Sequence, residues 1–260
     1  MTSQLKSTRL GQTLVLTISN PEFKNALGPE IYSAGVEALN AAESNPDVRA
    51  IIITGDGNTF CAGGNLQRLL ANRQQPASVQ TDSIEGLHSW IEAIHTYPKP
   101  VIAAVEGAAA GAGFSLALAC DFCVAAENAI FVMSYSTVGL SPDGGGSWAL
   151  ANALPRALAS ELLMTGNRMA AQRLHQFGLI NSVVNSGEAL QGALTLAETL
   201  GSRAPNALAS IKELINSAPN CTLHDQLTEE KTHFIRNLHD ANGAEGISAF
   251  LEKRTPRYRP

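Results

Sequence analysis

Two glycine-rich segments of the sequence each follow an apolar run and could present backbone N–H groups to a ligand. The first is residues 60–66 (FCAGGNL), which follow the apolar run 50–54. The second is residues 106–115 (EGAAAGAGFS), which follow the run 100–105 and lead into the small-residue helical stretch 116–120. Turns without bulky side chains let a ligand touch the backbone, and the first N–H groups of a helix have no partner within it. Two such donors directed at one oxygen would form an oxyanion hole.

An acidic residue stands in the densest unusual segment of the chain, residues 131–148, where Asp143 lies between a proline and three glycines. Pro-Asp-Gly is ordinary turn chemistry, so a plain turn residue is one interpretation. In the other interpretation, Leu140, Trp148 and Tyr135 partly desolvate the carboxylate, which would suit it to act as a general base. The residue types leave both interpretations open.

Composition excludes several classes of protein. The chain has 260 residues, of which 45% are hydrophobic and 16% charged, and its net charge is −5. Nucleic-acid binding needs a concentrated basic face, and no apolar run approaches membrane-spanning length, so neither a nucleic acid nor a membrane is expected as a partner. The N-terminus lacks the apolar core of a signal peptide, which predicts a cytoplasmic protein. Cys120 and Cys123 are spaced as C-x-x-C, but they are expected to be small buried side chains.

Hydrophobic periodicity predicts an alternation of strands and helices in the first 185 residues. Strands are predicted at 13–19, 48–54, 100–105 and 122–132, with a helix running from Pro29 to about residue 42. Alternation of this kind favours an α/β layer architecture over a sandwich. The size of the chain suits one large domain, or one domain with a small appendage.

Two regions differ from this alternation. Residues 67–81 are polar, interrupted by a proline and weakly periodic, so they are predicted to form either a mobile lid or a plain surface loop. After residue 186 the strand signals end, and four amphipathic helices are predicted, at 188–202, 204–217, 223–238 and 247–253. Such a helical end after an α/β core suggests a packing or assembly appendage.

Several ordered motifs resemble those of the enoyl-CoA hydratase/isomerase (crotonase) superfamily. The resemblance rests on residues 60–66, 100–121, 164–180 and 249–254, and it extends from about residue 12 to the last helix. It implies an α/β fold, a crotonase spiral of ββα repeats, with residues 1–198 as the core for acyl-CoA binding and catalysis. Residues 199–260 would then form a helical trimerisation region, and the protein would be a homo-oligomer, either a trimer or a dimer of trimers.

The resemblance also implies a ligand, an acyl-CoA thioester, whose carbonyl oxygen would be held by the backbone N–H groups of Ala62 and Ala112. Coenzyme A is then part of the substrate, and neither a separate cofactor nor a metal is expected. Further residues are implied to contact the acyl-CoA: Lys24, Ala26, Cys61, Gly63, Gly64, Asn65, Leu66, Gly111, Ser115, Tyr135 and His88. Phe250 and Lys253 are implied to reach the CoA of a neighbouring subunit.

Two departures from the family pattern bear on the reaction. Hydratases of this family use two glutamates, and the corresponding positions here hold Ser115 and Tyr135, neither of which is a carboxylate base near neutral pH. Asp143 stands where the isomerase branch carries its single acidic base, and its segment looks most like the ring-1,2-epoxyphenylacetyl-CoA isomerases. One carboxylate suits a double-bond shift, because the same group can remove a proton at one carbon and return it at another. An isomerase is therefore preferred, with an enoyl-CoA hydratase as the alternative.

Other interpretations stay open. Asp143 and His88 are spaced as in the 4-halobenzoyl-CoA dehalogenases, although a structural or pocket-lining His88 is the preferred interpretation. Gly113, Ser115 and His175 resemble part of a serine hydrolase, but the second glycine of a nucleophile elbow is missing. A CoA-ester-binding or RNA-binding relative without catalysis is also compatible with the absent glutamates. No Walker motif or complete dinucleotide fingerprint is present, so nucleotide chemistry is disfavoured.

Overall fold

The computed structural model describes residues 3–259, which fold around a six-stranded sheet. The strands lie across this sheet in the order β1 (Gln4–Leu10), β2 (Thr13–Ser19), β3 (Ala50–Gly55), β4 (Val101–Val105), β6 (Phe122–Ala126) and β9 (Ser182–Val184). The first pair is antiparallel and every later pair is parallel. Parallel neighbours need long crossovers, which explains why helices separate these strands in the sequence.

A second, three-stranded sheet lies beside the first. It contains β5 (Ala108–Ala110), β7 (Ile130–Val132) and β8 (Met169–Ala170), with β7 in the centre. Only two residues separate β4 from β5, so the chain passes directly from the large sheet to the small one and then enters a helix. The chain also passes directly from β6 of the large sheet to β7 of the small one. These strand-strand units confirm the predicted α/β spiral of ββα repeats, and they divide the predicted strand 122–132 in two.

Eleven α-helices are found among the described residues. Seven belong to the first part of the chain: α1 (Pro29–Glu43), α2 (Leu66–Asn72), α3 (Ala77–Thr96), α4 (Ala112–Ala119), α5 (Gly146–Ala153), α6 (Arg156–Ser160) and α7 (Ala171–Gln176). The last four confirm the predicted helical end: α8 (Ala189–Gly201), α9 (Pro205–Ser217), α10 (Leu223–Leu238) and α11 (Ala241–Leu251). None of these helices is both long and apolar enough to span a membrane.

The large sheet is buried on both faces. On one face, Ala189, Ala193 and Ala197 of α8 form a flat stripe that packs against buried side chains of β2, β3, β4 and β6. Their spacing of four residues places all three on one side of the helix. The main core fills the other face, where α1, α3 and α4 pack. Residue 198 lies within α8, so the helix covering the sheet continues past the predicted end of the core, and the two-part division itself stays a prediction.

Residues 67–81 differ from the prediction. They are not an irregular loop, because α2 and the beginning of α3 occupy most of the segment. Asn65 caps α2, since its side chain accepts hydrogen bonds from the N–H groups of Gln67 and Arg68 at 3.0 and 3.1 Å. Pro76, which interrupts the sequence pattern, stands at the N-cap position of α3. The proline therefore separates two helices, so the interpretation as a plain surface loop was wrong, and the mobile lid stays a prediction.

Helix α9 is tied to the core by Lys212 and by Asn216, which donates to the carbonyl oxygen of His95 at 2.7 Å. Lys212 donates to the carboxylate of Asp121 and to the carbonyl oxygen of Ile94, both at 2.8 Å. The helices that follow expose large apolar side chains, among them Leu223, Phe234 and Phe250. Such surfaces are typical of interfaces. The predicted trimer or hexamer stays a prediction, since a single chain is described.

Free thiols are found at both positions of the C-x-x-C pair. Cys123 is buried and Cys120 is half-buried. Burial raises the pKa of the Cys123 thiol to about 12 and that of Cys120 well above its usual value. The interpretation as a small buried side chain is confirmed for Cys123 and holds only in part for Cys120.

Helices α1 and α3 pack closely at a glycine, which allows a matched stability test. A Cβ at Gly35 would overlap the Trp90 ring, whereas a Cβ at Gly86 would meet the Tyr32 ring at an ordinary 3.4 Å. We expect Gly35→Ala to lower the free energy of unfolding by about 1–3 kcal/mol through overpacking. Gly86→Ala, on the facing helix, should change it by less. Urea unfolding of both variants measures this, and equal effects would contradict the packing argument.

Candidate active site

The two glycine-rich segments are joined by backbone hydrogen bonds. The N–H of Cys61 donates to the carbonyl of Ala108 at 3.0 Å, and the N–H of Ala110 donates to the carbonyl of Cys61 at 2.9 Å. The N–H of Phe60 donates to the carbonyl of Glu106 at 2.7 Å. The first segment is therefore fixed along the edge of β5. The two segments must lie together in this way if their N–H groups are to bind one oxygen.

Gly63 lies where the two backbones are closest. A Cβ at this position would be 2.6 Å from the carbonyl oxygen of Ala110 and 3.3 Å from the backbone nitrogen of Ala112. Its φ of +89° also lies in the left-handed region that favours glycine. Both the contact and the backbone angle therefore require glycine here. Gly64 differs, because a Cβ there would meet only a Leu69 methyl carbon at 3.8 Å.

Free N–H donors lie at the start of α4. Gly111 precedes this helix with φ +51° and ψ −122°, and its own N–H donates to the carbonyl of Val132 at 2.9 Å. The N–H groups of Ala112 and Gly113, in the first turn of the helix, have no partner within residues 3–259. These donors carry the positive end of the helix dipole. The N–H of Ala112 is therefore available to a ligand, and its role as a donor to a thioester oxygen stays a prediction.

The first segment offers a different donor from the predicted one. The N–H of Ala62 donates to the carbonyl of Lys24 at 3.0 Å, so it is not free to bind a ligand. The N–H of Gly64 has no partner in the described part of the chain, although the adjacent Gly63 carbonyl accepts from Leu27 at 2.8 Å. The sequence could not distinguish these two N–H groups, because the difference depends on the turn at Gly63. The N–H of Ala62 is therefore not available for the predicted role, and the unpartnered N–H of this segment, within residues 3–259, is that of Gly64.

Asp143 is held beside the second segment by two residues that the sequence analysis named. The hydroxyl of Tyr135 donates to Oδ1 of Asp143 at 2.5 Å. The hydroxyl of Ser115 donates to the backbone carbonyl of Asp143 at 2.9 Å. Burial, followed by the negative charge of Asp143, raises the pKa of Tyr135 far above its ordinary value. Tyr135 therefore stays protonated and remains a donor to the carboxylate.

The surroundings of Asp143 differ from the prediction in part. Tyr135 is buried and in contact, but Leu140 and Trp148 are 50% and 49% exposed. Trp148 packs edge-on against His95, with ring centroids 5.6 Å apart. Leu87 is the apolar side chain that meets the turn instead, because a Cβ at Gly144 would lie 3.3 Å from it. Asp143 itself is half-buried.

His88 does not join the site. It follows Leu87 on α3 and its side chain is exposed, so the interpretation of a buried or pocket-lining histidine was wrong. One residue along a helix turns the side chain by about 100°, which places Leu87 and His88 on different faces. This arrangement gives no support to a dehalogenase that uses both His88 and Asp143.

The serine hydrolase interpretation is also unsupported. Ser115 is only 1% exposed, and its hydroxyl already donates to the backbone of Asp143. His175 lies at the end of α7, where its Nδ1 is 2.8 Å from the carbonyl oxygen of Ile180. A buried serine without a histidine partner is not an activated nucleophile.

Two residues at the site were missed from the sequence. Tyr32 on α1 is buried, and burial raises its pKa to about 12; the charges of Arg68 and Asp143 also act on it, in opposite directions. Arg68 on α2 donates to the carbonyl of Leu27 at 3.2 Å. Tyr32 occupies an apolar position of an amphipathic helix, where a tyrosine is predicted to be an ordinary core residue. Arg68 stood in the segment predicted as a loop, so neither gave a signal.

The remaining predicted contacts lie in three places. Lys24 and Ala26 belong to the segment that faces residues 60–64, with Lys24 exposed and Ala26 buried. Leu66 begins α2 and is exposed. Phe250 is 83% exposed on α11, and Lys253 follows it in a left-handed conformation. Their roles in binding coenzyme A, including the reach of Phe250 and Lys253 to a neighbouring subunit, stay predictions.

An apolar cavity of about 610 Å³ adjoins the site. Ser115, Gly144 and Gly145 line one part of it, next to Asp143. Other walls come from α3, α4, α5 and α9, with side chains that include Ile91, Leu118, Trp148 and Ile211. The cavity has the size and lining of a small-molecule pocket.

Comparison with known proteins agrees with this geometry. Residues 10–260 match the family model for enoyl-CoA hydratase/isomerase. The chain is 37% identical to a 1,2-epoxyphenylacetyl-CoA isomerase of Escherichia coli (strain K12) over 94% of each chain. It is 35% identical to a carnitinyl-CoA dehydratase of Salmonella typhi, over 100% of this chain and 99% of that one. An enoyl-CoA hydratase structure from Polaromonas sp. JS666 is 71% identical with a TM-score of 0.98, covering 98% of this chain and 100% of that one.

Adjacent glycines of the first segment allow a direct test of the close contact between the two backbones. Gly63→Ala should push the segments apart and reduce turnover of the acyl-CoA substrate by at least about tenfold, because misplaced donors lose transition-state stabilisation. Gly64→Ala keeps its N–H and has room for a Cβ, so most activity should remain. Steady-state kinetics of the two variants, with circular dichroism to check folding, make the comparison. Equal activity in both would refute the requirement for glycine at 63.

Proposed function

The chain belongs to the enoyl-CoA hydratase/isomerase family, and we propose that it is an acyl-CoA isomerase that moves a double bond through a thioester enolate. One observation carries the proposal: Asp143 is the carboxylate at the site. In the part of the chain that the structure describes, no other carboxylate side chain bonds to Ser115 or Tyr135. Addition of water uses two acidic groups in the hydratases that the sequence resembles. A double-bond shift needs one.

Two backbone donors support enolate formation. The thioester oxygen would accept hydrogen bonds from the N–H groups of Gly64 and Ala112, which are both unpartnered among residues 3–259. Negative charge develops on this oxygen as the α-carbon loses its proton, so fixed donors stabilise the transition state more than the substrate. The dipole of α4 adds to the effect at Ala112.

Asp143 would carry the proton between carbon atoms. Tyr135 donates to Oδ1 of the carboxylate and so fixes its orientation, while Oδ2 is left for the substrate. In the proposed reaction Oδ2 removes a proton from one carbon, the electron pair moves into the enolate, and the same oxygen returns the proton to another carbon. No atom is added to the product, and the carboxylate is regenerated.

The cavity beside Ser115 and Gly144 would receive the acyl group. Its walls are mainly apolar, so an unsaturated or aromatic acyl group suits it better than a charged one. Coenzyme A would extend outward along residues 61–66. The relative from Escherichia coli is named for an aromatic acyl-CoA, which agrees with a cavity that includes Trp148.

A hydratase remains the second candidate. The observation that favours it is the 71% identity with a structure named as an enoyl-CoA hydratase. The two reactions are separated by product analysis with crotonyl-CoA and a 3-enoyl-CoA in deuterated water. An isomerase shifts the double bond of the 3-enoyl-CoA without adding oxygen, and deuterium enters the product only as far as the protonated Asp143 exchanges with solvent, whereas rapid addition of water to crotonyl-CoA would overturn the proposal.

Asp143→Asn tests the proton shuttle. The amide has nearly the same shape but is not basic, so we expect kcat for 3-enoyl-CoA to fall by about 10²–10⁴. Binding of the substrate should be almost unchanged, because the thioester donors remain. Stopped-flow kinetics and calorimetric titration measure the two effects. Retention of most of the turnover would refute the role of Asp143.

Ala112→Pro tests the donor on α4. Proline is tolerated at the first helical position, where the missing N–H has no partner within the helix, so the fold should persist. Loss of this donor should lower kcat by about 10²–10³. Ala112→Gly serves as the control, because it changes the side chain and keeps the N–H. If both variants keep wild-type turnover and thermal stability, the N–H of residue 112 is not a donor in the reaction.

A further inference from the structure

The walls of the apolar cavity also contain polar side chains that the proposed reaction does not use. His95 of α3 and both Lys212 and Asn216 of α9 line it, and Trp148 of α5 lies beside His95. The amide of Asn216 donates to the backbone carbonyl of His95 at 2.7 Å, so α3 and α9 meet at this place. Neither the proton shuttle nor the thioester donors involve these residues.

Helix α3 follows the cavity away from the turn at Gly144 and Gly145. Leu87, Ile91 and His95 are spaced by four residues, so they lie on one face of the helix. Leu87 lies 3.3 Å from the position of a Cβ at Gly144, and Ile91 lies 3.8 Å from that of a Cβ at Gly145. The eight positions from Leu87 to His95 advance the helix by about 12 Å. His95 therefore lines the end of the cavity that is remote from this turn.

The His95 ring has unused hydrogen-bonding capacity. It is half-buried and packs edge-on against Trp148, but no hydrogen bond or ion pair of either ring nitrogen occurs within residues 3–259. Burial, followed by the positive charge of Lys212, lowers the pKa of His95 below its usual value. The imidazole is therefore neutral near pH 7, with one nitrogen that donates and one that accepts.

The charges around His95 disfavour a charged ligand at this end of the cavity. The side chain of Lys212 is 10% exposed and pairs with Asp121 at 2.8 Å, so its positive charge is already offset. Glu92 also lines the cavity. A carboxylate would meet the negative charges of Asp121 and Glu92, and an ammonium group would lie close to Lys212. A neutral hydroxyl or carbonyl group avoids both repulsions and can still bond to the imidazole.

We propose that His95 forms a hydrogen bond with a neutral oxygen, a hydroxyl or a carbonyl, at the far end of the acyl group. The preferred substrates are then acyl-CoA esters whose acyl group reaches His95 and ends in such an oxygen. An extended chain advances about 1.2 Å per bond, so about eight to ten carbons span the separation. The inference rests on the proposed function, which places the acyl group in this cavity. His95 is a specificity-determining residue for that group.

Saturated ligands of increasing length test the inference. Each pair compares an ω-hydroxyacyl-CoA with the acyl-CoA in which a methyl group replaces the hydroxyl. The pairs are 4-hydroxybutanoyl-CoA with pentanoyl-CoA, 8-hydroxyoctanoyl-CoA with nonanoyl-CoA, and 10-hydroxydecanoyl-CoA with undecanoyl-CoA. Calorimetry gives the dissociation constants. In the wild-type protein, the affinity of the hydroxyl ligand relative to its methyl partner should be at least about fivefold higher in one long pair than in the short pair, as one hydrogen bond provides.

Two histidine variants on the same helix assign this difference to His95. His95→Phe keeps an aromatic ring beside Trp148 and removes both nitrogens, so the difference between long and short pairs should fall to within about twofold. His88→Phe is the matched control, because His88 is exposed on α3 and does not line the cavity, and the difference should persist. An unchanged difference in His95→Phe would overturn the inference. Equal ratios in all three wild-type pairs would also overturn it, and this measurement needs no variant to fold.

Two further comparisons separate this inference from the proposals near it. Tighter binding of nonanedioyl-CoA, which ends in a carboxylate, than of 8-hydroxyoctanoyl-CoA would indicate recognition by Lys212 and overturn the assignment of a neutral oxygen. If the affinity of the methyl-ended ligands rises with length while the hydroxyl ratios stay equal, the acyl cavity is supported and the role of His95 alone fails. Because these ligands do not isomerise, a failure of the isomerase proposal would not alter the result.

Discussion

Backbone hydrogen bonds between Cys61 and β5 bring two glycine-rich segments together with no side chain between them. Glycine is required on both sides of this contact, since a Cβ at Gly113 would lie 2.5 Å from the Cys61 carbonyl and one at Gly63 would strike that of Ala110. The free N–H groups on either side are consequently fixed by the sheet and the helix. Donors held in this way need no reorganisation when charge develops on a bound oxygen, and this is the main advantage of a backbone oxyanion hole.

The turn that carries Asp143 depends on the same small-residue packing. Ser115 is enclosed, and a Cβ at Gly146 would lie 2.5 Å from its hydroxyl oxygen. A glutamate at 115 would have to displace this turn, and with it Asp143. In this geometry, a carboxylate at position 115 and a carboxylate held by Tyr135 compete for the same space. The serine at 115 therefore helps to position Asp143. It also stands where the hydratases that the sequence resembles carry a glutamate.

The sequence predicted features that depend on local pattern. It did not predict which backbone N–H group is free or which face of a helix turns toward the site. Strand, glycine turn and helix start are local, so the second segment could be predicted, and the resemblance to the family supplied Ala112, Ser115, Tyr135 and Asp143. The choice between the N–H groups of Ala62 and Gly64 depends on a single positive φ at Gly63, which residue types do not reveal. The choice between Leu87 and His88 depends on the rotation of α3 about its axis, which tertiary packing sets.

That rotation has a further consequence for the site. Gly86 and Leu87, which are adjacent on α3, meet Tyr32 and the Gly144 turn respectively, while Trp90 fills the space beside Gly35 on α1. The position of α3 beneath the Gly144 turn thus depends on how closely α1 packs on α3. Because the interior is close-packed, a displacement of one helix also displaces the residues packed against it. Changes at Gly35 or Trp90, far in the sequence from Asp143, would therefore shift the contact between Leu87 and the Gly144 turn as well as the stability of the fold.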